Sequence, residues 1–305
     1  MLSVVLYIAV VLIWGSAWLA VKFQLGVVAP EASIAYRIGG AAVLMLLWSL
    51  WRRQSLRYAG RDHFFLLLQG VLIFSTNFFM FYRATFYLTT GLIALINSTA
   101  SALIILINCC LQRRLPSGRV LIGALLGVCG IAAIFWPQLA ALSWSSDVGR
   151  GVLYSCGGTI CFSLGSIVGA RNRTAGYPLQ SNMFWSMFYG TALLTCFVLL
   201  SGREFNFDPR LPYVAALLYL SLIGSVLAFA AYFALLGRIE PERAAYVAVL
   251  FPVVALLLST LYEGYTWTLP AFAGVALTLL GNVLVLRKPR SAAAREFKAA
   301  VRTTS

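Results

Sequence analysis

The stretch Leu72-Ile73-Phe74-Ser75-Thr76-Asn77-Phe78-Phe79-Met80-Phe81-Tyr82-Arg83-Ala84 returns 150 positions later as Leu222-Ile223-Gly224-Ser225-Val226-Leu227-Ala228-Phe229-Ala230-Ala231-Tyr232-Phe233-Ala234, with six of thirteen positions identical. At a shift of 151, Gly123 and Gly130 fall on Gly274 and Gly281, so the relation extends past one helix. The expected units are residues 1–138 and 150–287, followed by a basic tail over 288–305.

Each unit contains five apolar runs. They fall at 2–22, 32–51, 64–82, 88–111 and 119–136, then at 150–170, 181–201, 212–236, 243–262 and 269–286. A hydrocarbon core about 30 Å thick needs roughly 20 apolar residues per helix. The expected fold is therefore an all-α integral membrane protein with ten transmembrane helices. Five spans per unit is odd, so the second copy enters the membrane from the opposite face. Two inverted five-helix repeats of this kind are the architecture of alternating-access transporters.

Composition agrees with a bilayer as the solvent. Of 305 residues 61% are hydrophobic and 10% charged, against roughly 25% charged in soluble domains; the mean hydropathy is +0.88. The net charge of +14 follows the membrane sides rather than forming one basic face, which argues for lipid as a partner and against nucleic acid. Seventeen of the 23 Lys and Arg residues fall in one alternating set of connectors and the tail, and five in the other. By the positive-inside rule both termini are expected in the cytoplasm. The six cysteines all lie in apolar runs and are expected to be small buried residues. The first run has no basic n-region and no small-residue cleavage site, so it reads as an uncleaved span.

Charges buried at mid-bilayer are costly and mark function. All nine acids fall at run ends, in connectors or in the tail, so no buried carboxylate is expected to carry protons. Arg37 lies about one turn into the second run, where snorkelling to the headgroups is the expected role and contact with a cargo carboxylate the alternative.

A cavity for an amphipathic solute needs apolar walls and a few hydrogen-bonding groups. Ser75, Phe78, Phe79 and Tyr82 share three- and four-residue spacing, and Ser225, Phe229 and Tyr232 repeat it, so symmetry sets both faces about one cavity. Plain aromatic packing is the competing role for Phe79 and Phe229. Asn97, Ser98, Thr99 and Ser101 form a polar cluster that cannot all face lipid. Trp14 is the candidate lining residue of the first run, whereas Trp18 beside Lys22 suits an interfacial belt. Pro252 frees a backbone carbonyl and reads as a hinge or a fixed bend. Gly123-x-x-x-Gly127 and Gly165-x-x-x-Gly169 read as close helix packing.

Trp14-Gly15-Ser16, Arg37, the Ala244–Pro252 run, Glu263, Gly274 and Gly281 together resemble the drug/metabolite transporter superfamily and its ten-helix EamA-type members. The resemblance covers residues 1–287 and is most similar to the aromatic amino-acid exporters. It implies export of amino acids or other small amphipathic metabolites across a bacterial inner membrane, with no cofactor and no metal. It also brings Tyr246, within the Ala244–Pro252 run, into the candidate substrate-binding set. The first unit departs from the pattern, with Ala102 matching Pro252 and Arg113 matching Glu263. Multidrug export is the alternative, and a nucleotide-sugar carrier less so, since almost all cations lie outside the runs. An enzyme finds no nucleophile, base or ligand set, with His63 the sole histidine. A channel lacks charged rings or a filter loop.

Overall fold

The computed structural model describes residues 2–134, 136, 147–236 and 247–286, and every regular element among them is helical. Seven helices are long and apolar enough to cross a membrane: α1 (Leu2–Lys22), α2 (Pro30–Trp51), α3 (Gly60–Ala84), α4 (Thr90–Leu111), α6 (Asp147–Thr174), α7 (Leu179–Leu200) and α8 (Leu211–Tyr232, continuing to Leu236). The shortest of these has 21 residues, or about 32 Å at 1.5 Å per residue. Three shorter apolar helices complete the described set: α5 (Gly118–Ile134), α9 (Val247–Tyr262) and α10 (Leu269–Leu286).

Several helices are bounded by residues that cannot continue them. Pro30 opens α2, its missing N–H falling where no intrahelical acceptor exists. Left-handed residues close others, and these come in pairs: Gly26 with Gly176, Arg53 with Gly202, and Arg113 with Gly264. The spacing within each pair is 149 to 151 positions. Two helices are widened in the middle. Gly70–Asn77 of α3 and Tyr219–Leu227 of α8 are π-helical, 150 positions apart to within one residue.

The helices pack in a regular order. The α5–α10 pair is the most extensive, followed by α2–α7. α3 rests on α6 and α7, while α8 rests on α1 and α2; α1 packs on α9, as α6 packs on α4. Glycine sets how closely α5 and α10 approach. A Cβ on Gly123 would lie 2.6 Å from the Gly281 carbonyl oxygen, and one on Gly130 would lie 2.5 Å from that of Gly274. Gly165 meets Ile73 and Leu72 of α3, so both glycine motifs serve packing.

The outer surface carries large exposed apolar side chains, among them Leu12, Leu125, Val128, Phe197, Leu257 and Leu280. In water such a surface would aggregate; in hydrocarbon it is the lipid face. The cysteines belong to this surface, which corrects their expected burial: Cys109 and Cys161 are half-buried and the other four exposed. Being apolar, a thiol is as content against lipid as in a core.

Candidate functional site

Polar side chains are concentrated at the end of the bundle where α1, α3 and α9 finish and α2 and α4 begin. Glu31, in the first turn of α2, accepts from Arg83 at 2.6 Å and from Arg203 at 2.9 Å, one guanidinium on each carboxylate oxygen. Its side chain is wholly buried. The N-terminus of α2 adds favourable dipole charge. Glu263, just past α9, accepts from the Thr90 N–H at 2.9 Å, the Thr90 hydroxyl at 2.7 Å and Ser259 at 2.6 Å, and pairs with Lys22 at 3.1 Å. Burial opposes ionisation of Glu263, but the contacts with Ser259, Thr90 and Lys22 outweigh it and hold its pKa below the ordinary glutamate range. The two carboxylates tie the ends of α1, α4 and α9, and of α2, α3 and the α7–α8 connector. These acids lie at helix ends, as expected, and although their side chains are buried each is ion-paired rather than free. Ion pairing is what makes their burial tolerable.

Beneath this layer Arg37 is 5% exposed, so it does not snorkel. Gln24 of the α1–α2 connector is completely buried beside it, its carbonyl accepting from Ser33 of α2 at 3.4 Å. Arg37 lies 4.3 Å over the Phe78 ring and donates to the Tyr82 hydroxyl at 3.4 Å, and Tyr82 donates to Gln24 Oε1. Ser33 and Tyr213 hydrogen-bond alongside at 3.0 Å.

Trp14 occupies a second cluster, with ring centroids 5.6 Å from Phe229 and 5.2 Å from Tyr232. It also packs against the cluster of Val10, Val11, Leu235 and Val247 and against that of Ala94, Phe251 and Ala255. Next to it Ser16 shares a 2.6 Å hydrogen bond with Tyr219. Pro252 is buried within α9, and the adjoining Phe251 carbonyl faces Gly15. Tyr246 lies outside the described residues.

The polar run of α4 interrupts its own helix. Ser98 and Thr99 donate to the carbonyls of Leu95 and Ile96 at 2.7 Å, and Thr99 separates Thr90–Ser98 from Ala100–Leu111. Hydroxyls that bond backward in this way compete with the ladder and bend the helix. Asn282 of α10 donates to Ser98 at 2.8 Å. Asn97 Oδ1 is buried without a partner among the described residues, and Ser101 is half-buried, donating to the Ser98 carbonyl at 3.3 Å.

The candidate residues thus form three groups rather than one. Phe78 and Tyr82 join Arg37, Trp14 joins Tyr232, and Asn97, Thr99 and Ser101 line α4. Ser75 is buried in the π-helical turn, and Phe79 points to Phe197 of α7 at 5.9 Å. The wide turn alters the register that simple helical spacing assumed. Sequence reasoning missed Gln24, Ser33 and Asn282. Only Asn282, an amide inside an apolar run, carried a visible signal.

The model of the EamA-like transporter family matches residues 1–136 and 149–287. An Archaeoglobus fulgidus protein named as an uncharacterized transporter is 22% identical over 90% of this chain and 95% of its own. The Escherichia coli protein named as the uncharacterized inner membrane transporter YedA is 25% identical over 91% of this chain and 88% of its own. A solved crystal structure, 18% identical, shares the fold with a TM-score of 0.66 over 92% of this chain and 95% of that one. With apolar membrane-length helices, a family model spanning nearly the whole chain and relatives named as transporters, the chain belongs to the EamA-like transporter family of the drug/metabolite transporter superfamily and is a membrane transporter.

Proposed function

We propose that the chain exports small amphipathic metabolites, aromatic and other neutral amino acids first, from the bacterial cytoplasm by alternating access. In this reading it sits in the inner membrane as ten spans with both termini inside. Residues 1–138 and 150–287 are inverted repeats that rock about Trp14, Tyr82, Tyr232 and the broken α4, with Pro252 as hinge.

The observation that carries the reading is the packing order of the helices. Each pairing described above recurs when five is added to both helix numbers, counting round from ten to one. An inverted repeat requires that relation, and the π-helical segments and left-handed residues recur at the same interval. The family match in two stretches of similar length is in keeping with it. Rings of Trp14, Phe229 and Tyr232 beside hydroxyls and amides on α4 suit a solute with an aromatic body and a polar end.

The buried carboxylates are already committed to cations, and Glu263 is held ionised, so neither suits a proton carrier that must load and unload. Transport then follows the solute's own gradient or exchange. A second reading, export of amphipathic drugs, is favoured by an open groove of about 370 Å³ between α1 and α8, lined by Leu19, Phe23, Ala215 and Tyr219.

Uptake of radiolabelled phenylalanine, threonine and methionine into proteoliposomes holding the purified protein, with and without a pH gradient, tests the proposal. Saturable uptake indifferent to the gradient is expected. Uptake that tracks the gradient would overturn the facilitator mechanism, and no amino-acid flux beside active drug flux would shift the cargo to the second reading.

A further inference from the structure

Every carboxylate buried at the polar end of the bundle is already paired: Glu31 with Arg83 and Arg203, Glu263 with Lys22, and Asp208 with Arg210. Arg37 has no carboxylate partner among the described residues, although it is 95% buried. A guanidinium taken out of water without a counter-ion costs several kcal/mol. Stacking over Phe78 at 4.3 Å offsets only part of that, since a ring face is a weaker partner than a carboxylate.

The hydrogen bonds run in one direction. Arg37 donates to Tyr82 and Tyr82 donates to Gln24 Oε1, which fixes the orientation of the Gln24 amide. Both ends of this relay leave a buried N–H donor without a partner, Arg37 Nε at one and Gln24 Nε2 at the other. The orphaned cationic donor and the orphaned amide donor belong to the two side chains bonded to the Tyr82 hydroxyl, and each lacks an acceptor.

We infer that Gln24, Arg37 and Tyr82 form a carboxylate anchor, and that the counter-ion of Arg37 is the carboxylate of the cargo. The inference deepens the proposed export of amino acids, on whose cargo class it rests, by assigning the carboxyl end a place. It also gives the amphipathic cargo an orientation, with Phe78 already covered by the guanidinium and the aromatic end of the solute directed away from it. A neutral analogue leaves Arg37 uncompensated, so the site discriminates acid from amide by the cost of the unpaired charge.

The test uses the full chain in nanodiscs and equilibrium binding of three probes: phenylalanine, phenylpyruvate and phenylalaninamide. The two acids are expected to bind at least tenfold tighter than the amide. Arg37→Gln should abolish that ratio, and Gln24→Leu should reduce it several-fold. Because the ratio is read within one variant, partial loss of folded protein does not mimic the effect, and Gln24→Leu serves if Arg37→Gln fails to fold. Phenylpyruvate binding without phenylalanine binding would keep the anchor and remove the amino-acid reading. Equal affinity of acid and amide in the unaltered protein, including equal absence of binding, would overturn the anchor, and saturable phenylalanine uptake into proteoliposomes holding the same purified protein would leave the export reading standing.

Discussion

Gly123 and Gly281 stand back to back across the α5–α10 contact, so that a Cβ on Gly123 would reach 2.6 Å from the Gly281 carbonyl oxygen. Backbone on one side and backbone on the other leaves nothing that can give way. Gly123→Ala should therefore lower stability in detergent by about 2 kcal/mol, in the range of an overpacked core. Gly127→Ala, whose nearest neighbour is a Thr99 methyl at 3.6 Å, should stay within about 0.5 kcal/mol of the unaltered protein. Thermal unfolding followed by circular dichroism reads both. Equal behaviour of the two variants would refute close packing as the role of Gly123.

Arg113 holds φ at 51° after α4, where its counterpart after α9 is Gly264 at 69°. A side chain in the left-handed region costs about 1 kcal/mol that glycine avoids. Arg113→Gly should raise stability by about that amount, and Gly264→Ala should lower it similarly. Chemical unfolding in mixed micelles is the measurement.

Glu263 contributes through its charged form. Its folded pKa lies below the ordinary value of 4.5, so its contribution is complete above that value and is lost as pH falls through the folded pKa. Glu263→Gln should cost roughly 2 kcal/mol at neutral pH, because Lys22 is half-exposed and partly solvated when left behind. The gap between variant and unaltered protein should close on acidification below about pH 4.5. Unfolding midpoints from pH 7 to pH 3.5 check the sign; a gap that widens with acid would be incompatible with it.

The proposed topology of ten spans with the Lys- and Arg-rich connectors inside predicts that a fluorescent protein fused after Ser305 folds and fluoresces in the cytoplasm, and that alkaline phosphatase fused there is inactive. Reversal of both signals would invert the topology.

The membrane class and helix limits were legible because bilayer thickness leaves few choices for an apolar run. A likeness between the halves was visible too, in Ser75 against Ser225 and Tyr82 against Tyr232, and both stretches carry a wide turn. That the turn is π-helical was not legible, because hydrogen-bond register leaves no mark in residue type. The site was read less well for a related reason. Arg37 and Tyr82 were both picked out, but their partner Gln24 sits in a connector, and only the fold brings it to the Tyr82 hydroxyl. Glu31 likewise looked like an ordinary helix-end acid; its burial depends on Arg203, distant in sequence.

The most direct test of a two-state carrier is counterflow. Proteoliposomes preloaded with unlabelled phenylalanine and diluted into trace labelled phenylalanine should accumulate label transiently above equilibrium, because one site is exposed to each side in turn. Label that rises to equilibrium without an overshoot, at a rate that does not saturate, would contradict alternating access and point to a channel.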